Sequence, residues 1–161
     1  MTLRSAYRTH TCGELRAADT GLTATVSGWV HRKRDHGNVL FIDLRDHYGI
    51  TQCVVGGGSP PFASADALRL ESVVTVTGTV VHRAPGAENP KLPTGEIEIA
   101  VTGLAVESVA DPLPLQVNSD AEFPEDTRLR YRFLDLRRER LHHNITLRSQ
   151  VIASIRRPSR C

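Results

Sequence analysis

An aromatic side chain lies on the polar side of one predicted strand. In residues 39–46 the apolar side chains Leu40, Ile42 and Leu44 alternate with Phe41, and successive side chains of a strand point to opposite faces. Phe41 therefore lies opposite the core face. An exposed ring at this place could stack on a nucleic acid base, which contributes roughly 1–3 kcal/mol per base in any sequence. The alternative is a phenylalanine that a helix or a loop covers.

Charged and amide side chains occur close to this ring in the predicted strands. Arg32, Lys33 and Arg34 end the preceding strand, where cations could hold a phosphate backbone; the alternative is a solvated turn. Gln52 offers a donor and an acceptor together, which suits the Watson–Crick edge of a pyrimidine unless the backbone caps the amide. Glu98 could accept from a base amino or imino group, although a strand glutamate is often only solvated.

Other kinds of chemical site are not indicated. The seven histidines do not pair with Cys or Asp at metal-ligand spacing. The glycine run at 56–58 is not followed by Lys-Ser/Thr, which excludes a P-loop, and no Ser/His/Asp set or isolated carboxylate pair stands out. Cys12, Cys53 and Cys161 match no zinc or C-x-x-C spacing, so we expect reduced thiols. We predict no catalytic residue and no metal ligand in this chain.

The elements that would position these side chains follow the order β-β-β-α-β-β. A helix is predicted over 62–70, and strands over 22–34, 39–46, 50–55, 73–82 and 96–109. Within the first strand, Gly28 predicts a bend or bulge, and Trp29 is interpreted as a core residue. This order predicts a mainly β, five-stranded OB-fold barrel, which closes its own edges. A plain α+β sandwich is the alternative.

The C-terminal third of the chain has a different character. Residues 111–126 contain three prolines and several acids, which is typical of a linker. Over 127–157 apolar residues recur among arginines at near-helical spacing, which predicts two helices broken near 142–144. Such helices need a larger body to cover their apolar faces. We therefore expect a barrel domain at 1–110, a hinge at 111–127, and the truncated start of a second, helical domain at 128–161.

Charge is distributed unevenly along the chain. Residues 1–127 carry 10 Lys and Arg against 16 Asp and Glu, a net of −6, whereas residues 128–161 carry 10 Arg against two acids, a net of +8. Nucleic-acid affinity of the barrel must therefore come from a local cluster. No apolar run approaches the roughly 20 residues of a membrane span, and residues 1–12 lack the apolar core of a signal peptide. We expect a cytoplasmic protein without membrane contact.

Five stretches carry a resemblance to a known family. They are GWVHRKRDHG at 28–37, FIDLRD at 41–46, GITQ at 49–52, PTGEIE at 93–98 and EDTRLRYRFLDLRR at 125–138. From about Tyr7 to Arg157 the chain resembles the N-terminal, anticodon-binding part of bacterial-type aspartyl-tRNA synthetase (aspartate–tRNA ligase). Lysyl and asparaginyl relatives share the barrel and a Phe…Gln pair but not the string RDxG…FIDLRD, which this chain has between residues 34 and 46.

In that family the barrel binds the tRNA anticodon during translation. The resemblance implies that Phe41 stacks on the central uridine and that Gln52 reads the edge of this base. It further implies that Arg34, with Arg32 beside it, holds the anticodon backbone or a base. Glu98 is expected at the first anticodon base. By the same resemblance Asn89, in the long loop before the last strand, reaches the RNA.

Two loop positions bear on which tRNA is used. A histidine at position 36, with Gly86 in the facing loop, resembles the non-discriminating enzymes that charge both tRNA-Asp and tRNA-Asn. The full-length family is a homodimer that uses ATP and Mg²⁺ through three class II motifs. This chain lacks those motifs and breaks its last helix at 158–161. The resemblance therefore implies no cofactor and no ligase activity for the chain alone.

Three functions remain open from the sequence. The first is an anticodon-binding module of an ATP-dependent aspartate–tRNA ligase. The second is a general single-strand-binding OB protein, against which the acidic barrel argues, since such proteins use a broad basic groove. The third is a regulatory fragment that binds an intact synthetase through its C-terminal helices, whose apolar faces are uncovered.

Overall fold

Five strands close into a barrel in the computed structural model, which describes Ser5 and residues 7–157. The spatial order is β1-β2-β3-β5-β4, with β3 and β5 parallel and the other neighbouring strands antiparallel. A short helix, α1, connects β3 to β4. The predicted five-stranded OB-fold barrel is confirmed over the α+β sandwich. The bounds are β1 Thr23–Asp35, β2 Val39–Arg45, β3 Ile50–Gly56, α1 Phe62–Asp66, β4 Val73–His82 and β5 Ile97–Ser108.

The barrel interior is filled by alternate residues of every strand. Leu40, Ile42 and Leu44 of β2 are fully buried, as their alternation predicts. Each such side chain contributes roughly 1.5–3 kcal/mol by leaving water. The residues between them therefore lie on the outer surface of the barrel. The other strands contribute Val26, Val30, Val55, Val74, Val76, Ile97 and Ile99 to the same core.

The bulge in β1 does not lie at the position that the sequence predicts. The register between β1 and β2 shifts between Val30 and Arg32, so that the irregularity falls at His31 rather than at Gly28. An added Cβ at Gly28 would lie 2.3 Å from the carbonyl oxygen of Arg45. The glycine is thus needed for a close approach of two backbones, not for a bulge.

The prediction of Trp29 as a core residue is wrong. Its side chain is half-buried and lies on the outer side of β1. The next residue, Val30, faces the core, and successive side chains of a strand point to opposite faces. The guanidinium carbon of Arg45 lies 5.9 Å from the centre of the Trp29 ring. The indole is therefore covered partly by a cation, a favourable arrangement for an aromatic face.

Helix α1 ends four residues earlier than predicted. Leu68 is buried in the core although it lies beyond the helix. Glu71 has a φ of 66°, a conformation that L-residues other than Asn and Asp rarely adopt, and its N–H donates to the carbonyl of Val30. This backbone path leads directly into β4, so the helical pattern cannot continue to residue 70.

Residues 113–161 form a second unit, described here to residue 157. It contains helices α2 Glu125–Arg130, α3 Arg132–Asp135 and α4 Glu139–Arg156. The predicted break at 142–144 is wrong, because α4 runs through it; His and Asn cost less than about 0.7 kcal/mol each relative to Ala in a helix. The interruptions lie instead at Tyr131 (φ −108°, ψ 44°) and at Arg138, whose backbone is extended.

A buried carboxylate organises the short helices of this unit. Asp135 is fully buried and accepts from Arg128 and Arg132, while Arg138 lies 3.5 Å from it. Leu115, Val117 and Leu134 form a small core. Helix α4 leaves a set of large apolar side chains exposed: Ile145, Leu147, Val151, Ile152 and Ile155. Among the described residues, no helix is long and apolar enough to cross a membrane.

Candidate nucleic-acid interface

A row of polar side chains crosses the outer surface of the barrel from β1 to β4. Asp43 of β2 lies directly opposite Gln52 of β3 in the strand register, and Val81, at the end of β4, pairs with Glu98 of β5. Each of these residues alternates with buried core residues, so all face outward. We call the polar members of this face the outer row: Asp43, Gln52 and Glu98, together with Arg34, which pairs with Phe41 of β2, and Arg83, which follows the last residue of β4.

Hydrogen bonds join four members of the outer row, Arg34, Asp43, Gln52 and Glu98, into a chain. Nη2 of Arg34 donates to Oδ1 of Asp43 at 2.9 Å and to Oε1 of Gln52 at 3.0 Å. Nε2 of Gln52 donates to Oε2 of Glu98 at 2.7 Å. A guanidinium can only donate and an ionised carboxylate can only accept. The amide oxygen of Gln52 must therefore point toward Arg34 and its nitrogen toward Glu98.

The amide of Gln52 keeps hydrogen-bonding capacity for a ligand. Only 6% of the residue is exposed, and side chains, not the backbone, bind the amide. A primary amide has two N–H donors and two acceptor lone pairs. Among the described residues, the two contacts use one N–H and one lone pair, so one of each remains. One donor and one acceptor side by side are what the edge of a base requires.

Phe41 lies beside this chain on the same face. Its ring is half-buried, and the residue pairs with Arg34 across β1 and β2. The guanidinium carbon of Arg34 lies 5.8 Å from the ring centre. The ring of His36 stands edge-on, with a centroid distance of 5.3 Å and an interplanar angle of 81°, a preferred geometry for aromatic pairs. The structure thus brings together ring, guanidinium and amide.

Arg83 is a member of the outer row that the sequence reasoning missed. Only 7% of it is exposed; its Nε donates to the carbonyl of Ile97 at 2.9 Å, and within the described residues its buried Nη2 has no hydrogen-bond partner. Burial lowers the pKa of this guanidinium, while the carboxylates of Asp43 and Glu98 act in the opposite direction. A buried unpaired donor is costly, so an acceptor of an incoming ligand would stabilise it. Alternation from Val81 would have placed it on this face.

The other cations predicted beside Phe41, and Asn89, make different contacts. Arg32 is exposed and pairs in register with Asp43. Lys33 contacts the backbone oxygen of Asp66 in α1, and its Nζ lies 3.8 Å from the Asp66 carboxylate. Asn89 is half-buried in the β4–β5 loop, where its Oδ1 accepts from the backbone N–H of Lys91 at 3.1 Å. The RNA contacts predicted for Arg32 and Asn89 stay predictions.

The second loop position that bears on tRNA choice also lies between β4 and β5. Gly86 has a φ of 82°, which a side chain would strain. Its N–H donates to the carboxylate of Glu88 at 2.8 Å. The glycine therefore belongs to a tight local turn.

The formal charges of the outer row cancel, with two guanidinium groups and two carboxylates. This agrees with the acidic composition of the barrel, because the cations are arranged locally rather than as a broad basic surface.

The described residues contain no group of three His, Cys, Asp or Glu side chains that could hold a metal ion. Cys12 and Cys53 are buried free thiols, and burial raises the pKa of each well above its ordinary value. Cys161 lies outside the described residues.

Residues 24–107 match the tRNA anti-codon family model, described as an OB-fold nucleic acid binding domain. The chain belongs to this family. Its barrel is an anticodon-binding OB domain of the kind found in aspartyl- and asparaginyl-tRNA synthetases, which confirms the resemblance read from the sequence.

Relatives of known name agree with this assignment. The chain is 67% identical over 151 residues to an aspartate–tRNA(Asp/Asn) ligase from Acidiphilium cryptum (strain JF-5), covering 94% of this chain and 25% of the relative. It is 65% identical over 150 residues to the ligase of that name from Paramagnetospirillum magneticum (strain ATCC 700264 / AMB-1), covering 93% of this chain and 17% of the relative. The chain thus spans about a quarter or less of the length of these curated relatives.

Solved structures show the same OB domain. An asparaginyl-tRNA synthetase from Pyrococcus horikoshii, complexed with asparaginyl-adenylate, superposes with a TM-score of 0.75 at 26% identity, covering 96% of this chain and 34% of that chain. An aspartyl-tRNA synthetase from Entamoeba histolytica gives a TM-score of 0.66 at 28% identity, covering 76% and 31%. The general single-strand-binding alternative and the regulatory-fragment alternative are not favoured by these relatives.

Proposed function

We propose that the OB domain reads the anticodon of tRNA-Asp and, without discriminating, that of tRNA-Asn, as the N-terminal part of an ATP-dependent aspartate–tRNA ligase. One observation carries the proposal: the amide of Gln52 is held between Arg34 and Glu98 beside the half-buried ring of Phe41. A flat aromatic surface next to an oriented donor–acceptor pair suits an unstacked base.

Each part of the outer surface has a distinct role in this proposal. Phe41 stacks on the middle anticodon base, and the remaining N–H and lone pair of Gln52 bind its edge. Glu98 accepts from the amino and imino groups of the first base with the oxygen that Gln52 leaves available. Arg34 and Arg83 donate to phosphate or base oxygens, which satisfies the unpaired Nη2 of Arg83.

The loops at the edge of the surface select the RNA in this proposal. His36, edge-on to Phe41, and Gly86 leave the third anticodon position, at which tRNA-Asp and tRNA-Asn differ, open to the bases of both tRNAs. Asn89 and Arg32 approach the anticodon backbone. The names of the relatives, aspartate–tRNA(Asp/Asn) ligases, support the dual specificity.

The remaining features are proposed for the whole protein to which such a domain belongs. In that protein residues 128–161 begin the class II catalytic domain, which binds ATP and Mg²⁺. We propose that this protein is a cytoplasmic homodimer. The uncovered apolar side chains of α4, such as Ile145 and Val151, support this proposal because an apolar face needs a larger body to cover it.

Binding of a short RNA tests the anticodon assignment. The 161-residue chain is titrated into a labelled stem-loop with the anticodon GUC, and into the same stem-loop with the middle base changed to C. We expect Gln52→Ala to weaken binding of the U-containing RNA about tenfold, the discrimination of one bidentate base contact, and to remove the preference for U. Glu107→Gln, which lies elsewhere on β5 and contacts Thr75, is the control. Equal binding of both RNAs by the unmodified chain would contradict the proposal.

A further inference from the structure

Asp43 is connected to the Gln52 amide through the side chain of Arg34. Its Oδ1 accepts from Nη2 of Arg34 at 2.9 Å, and the same Nη2 donates to Oε1 of Gln52 at 3.0 Å. Asp43 is largely covered, with 14% of its side chain exposed, whereas 43% of the Arg34 side chain is exposed. The acid is thus the more buried partner, and its hydrogen bond restrains the more exposed side chain of Arg34.

The orientation of the Gln52 amide depends on both of its neighbours. In the observed orientation a donor faces an acceptor at each end of the amide. A flipped amide would place its nitrogen against the guanidinium of Arg34 and its oxygen against the carboxylate of Glu98, which creates two repulsive contacts. Without a fixed Arg34, one of these two constraints is lost.

Amide orientation determines which pyrimidine the site accepts. Along the edge that carries the C4 substituent, uracil presents an N3–H donor and an O4 acceptor, whereas cytosine presents an N3 acceptor and an N4 amino donor. An amide that matches uracil in one orientation matches cytosine after a flip. An amide free to rotate would therefore bind both bases.

We propose that Asp43 is a positioning residue that makes the site select uracil over cytosine, by fixing Arg34 and through it the amide of Gln52. The inference rests on the proposed function, since it concerns the base that Gln52 reads. Asp43 does not itself contact the RNA in this arrangement. As an acid beside a phosphate chain it also opposes RNA binding in general. Its removal should therefore raise the affinity for any RNA and, separately, reduce the preference for U over C.

A double-mutant cycle tests the route through Gln52. The 161-residue chain is compared as the unmodified protein, Asp43→Asn, Gln52→Ala and the double variant, each titrated with stem-loops that carry U or C at the middle position. We expect Asp43→Asn to reduce a roughly tenfold preference for U to within about twofold, mainly by tightening binding of the C-containing RNA. In the Gln52→Ala background the same substitution should leave the U-to-C ratio unchanged.

Two further variants distinguish the position of the Asp43 carboxylate from its negative charge, and a stability measurement distinguishes both from unfolding. Glu107→Gln removes one negative charge outside the outer row and should leave the ratio unchanged. Asp43→Glu keeps the charge but moves the carboxylate by one methylene, so an intermediate preference is expected. Thermal melting confirms that each variant is folded. A wild-type preference in folded Asp43→Asn, or in Asp43→Glu if Asp43→Asn does not fold, would overturn the inference.

The outcomes distinguish this inference from the proposed function. If the unmodified chain shows no preference for U, or if Gln52→Ala retains it, the reading of the base by Gln52 is wrong and both fail. If Gln52→Ala loses the preference and Asp43→Asn keeps it, only the role of Asp43 is overturned. Equal weakening with U and C in Asp43→Asn would also overturn it, since a general structural role gives that result.

Discussion

Nε2 of Gln52 lies 2.7 Å from Oε2 of Glu98, across the parallel pair formed by β3 and β5. The two residues are separated by 46 positions in the chain. Closure of the barrel brings them together, because β5 pairs with β3 as well as with β4. The contact orients the Gln52 amide from one side, as Arg34 does from the other.

Glu98→Ala should weaken binding of the GUC stem-loop about tenfold. The substitution leaves Nε2 of Gln52 without its acceptor and removes the group proposed to accept from the first base, and one hydrogen bond to a charged group contributes roughly 1.5–3 kcal/mol. Fluorescence anisotropy with G or A at the first anticodon position measures the change and the loss of discrimination. Glu107→Ala is the matched control on the same strand. An unchanged preference at the first position would show that Glu98 does not read this base.

Phe41→Leu should reduce RNA affinity while changing stability little. The ring is half-buried on the outer face, so leucine keeps much of the packing but lacks a stacking surface, which corresponds to roughly 1–3 kcal/mol per base. Titration with the stem-loop gives the affinity, and thermal melting gives the stability. Phe62→Leu, at the start of α1, is the matched control and should leave RNA affinity unchanged. RNA binding by Phe41→Leu at the wild-type level would contradict stacking at this position.

Arg83→Met should reduce RNA binding while changing stability little. Methionine has a similar length and removes a buried donor that has no partner in the described residues, but it also removes the Nε–H that donates to the carbonyl of Ile97. Because these two effects oppose each other, the free energy of unfolding should change by less than about 1 kcal/mol. RNA affinity should fall, because the acceptor that Arg83 would bind loses its donor. Chemical denaturation and stem-loop titration provide the two readouts.

Arg69→Met, at an exposed arginine, serves as the control for Arg83→Met and should leave both quantities nearly unchanged. A variant at position 83 that loses stability and keeps RNA affinity would mean that Arg83 is structural only.

His31 makes the stability of the barrel depend on pH. Burial, followed by the charges of Arg45 and Arg32, lowers its pKa from 6.5 to about 4. The unfolded chain therefore binds more protons between these values, and the free energy of unfolding decreases as the pH falls from about 6.5 to 4. His31→Asn should flatten this part of the profile, measured by denaturation at a series of pH values. An identical slope in both proteins would contradict the shift.

Local sequence patterns determined the strands and their faces. The period of two in β2 identified Leu40, Ile42 and Leu44 as core and placed Phe41 outside, because side-chain alternation depends only on the extended backbone. The order of elements identified the OB barrel for a similar reason, since strand and turn patterns are short-range. The interpretation of Trp29 as a core residue did not follow this alternation, and it is wrong: the ring lies on the outer face, where Arg45 from the next strand covers part of it.

The tertiary structure alone decided which outward side chains meet. Arg34 and Gln52 are 18 positions apart, and Gln52 and Glu98 are 46, so their contact depends on strand register and barrel closure rather than on any local pattern. Closure also buried Arg83 beside them. The amino-acid sequence by itself thus determined the fold and the outward position of Phe41. Pairing between distant strands decided the orientation of Gln52, because an amide takes its direction from whichever donor and acceptor the fold places at its two ends.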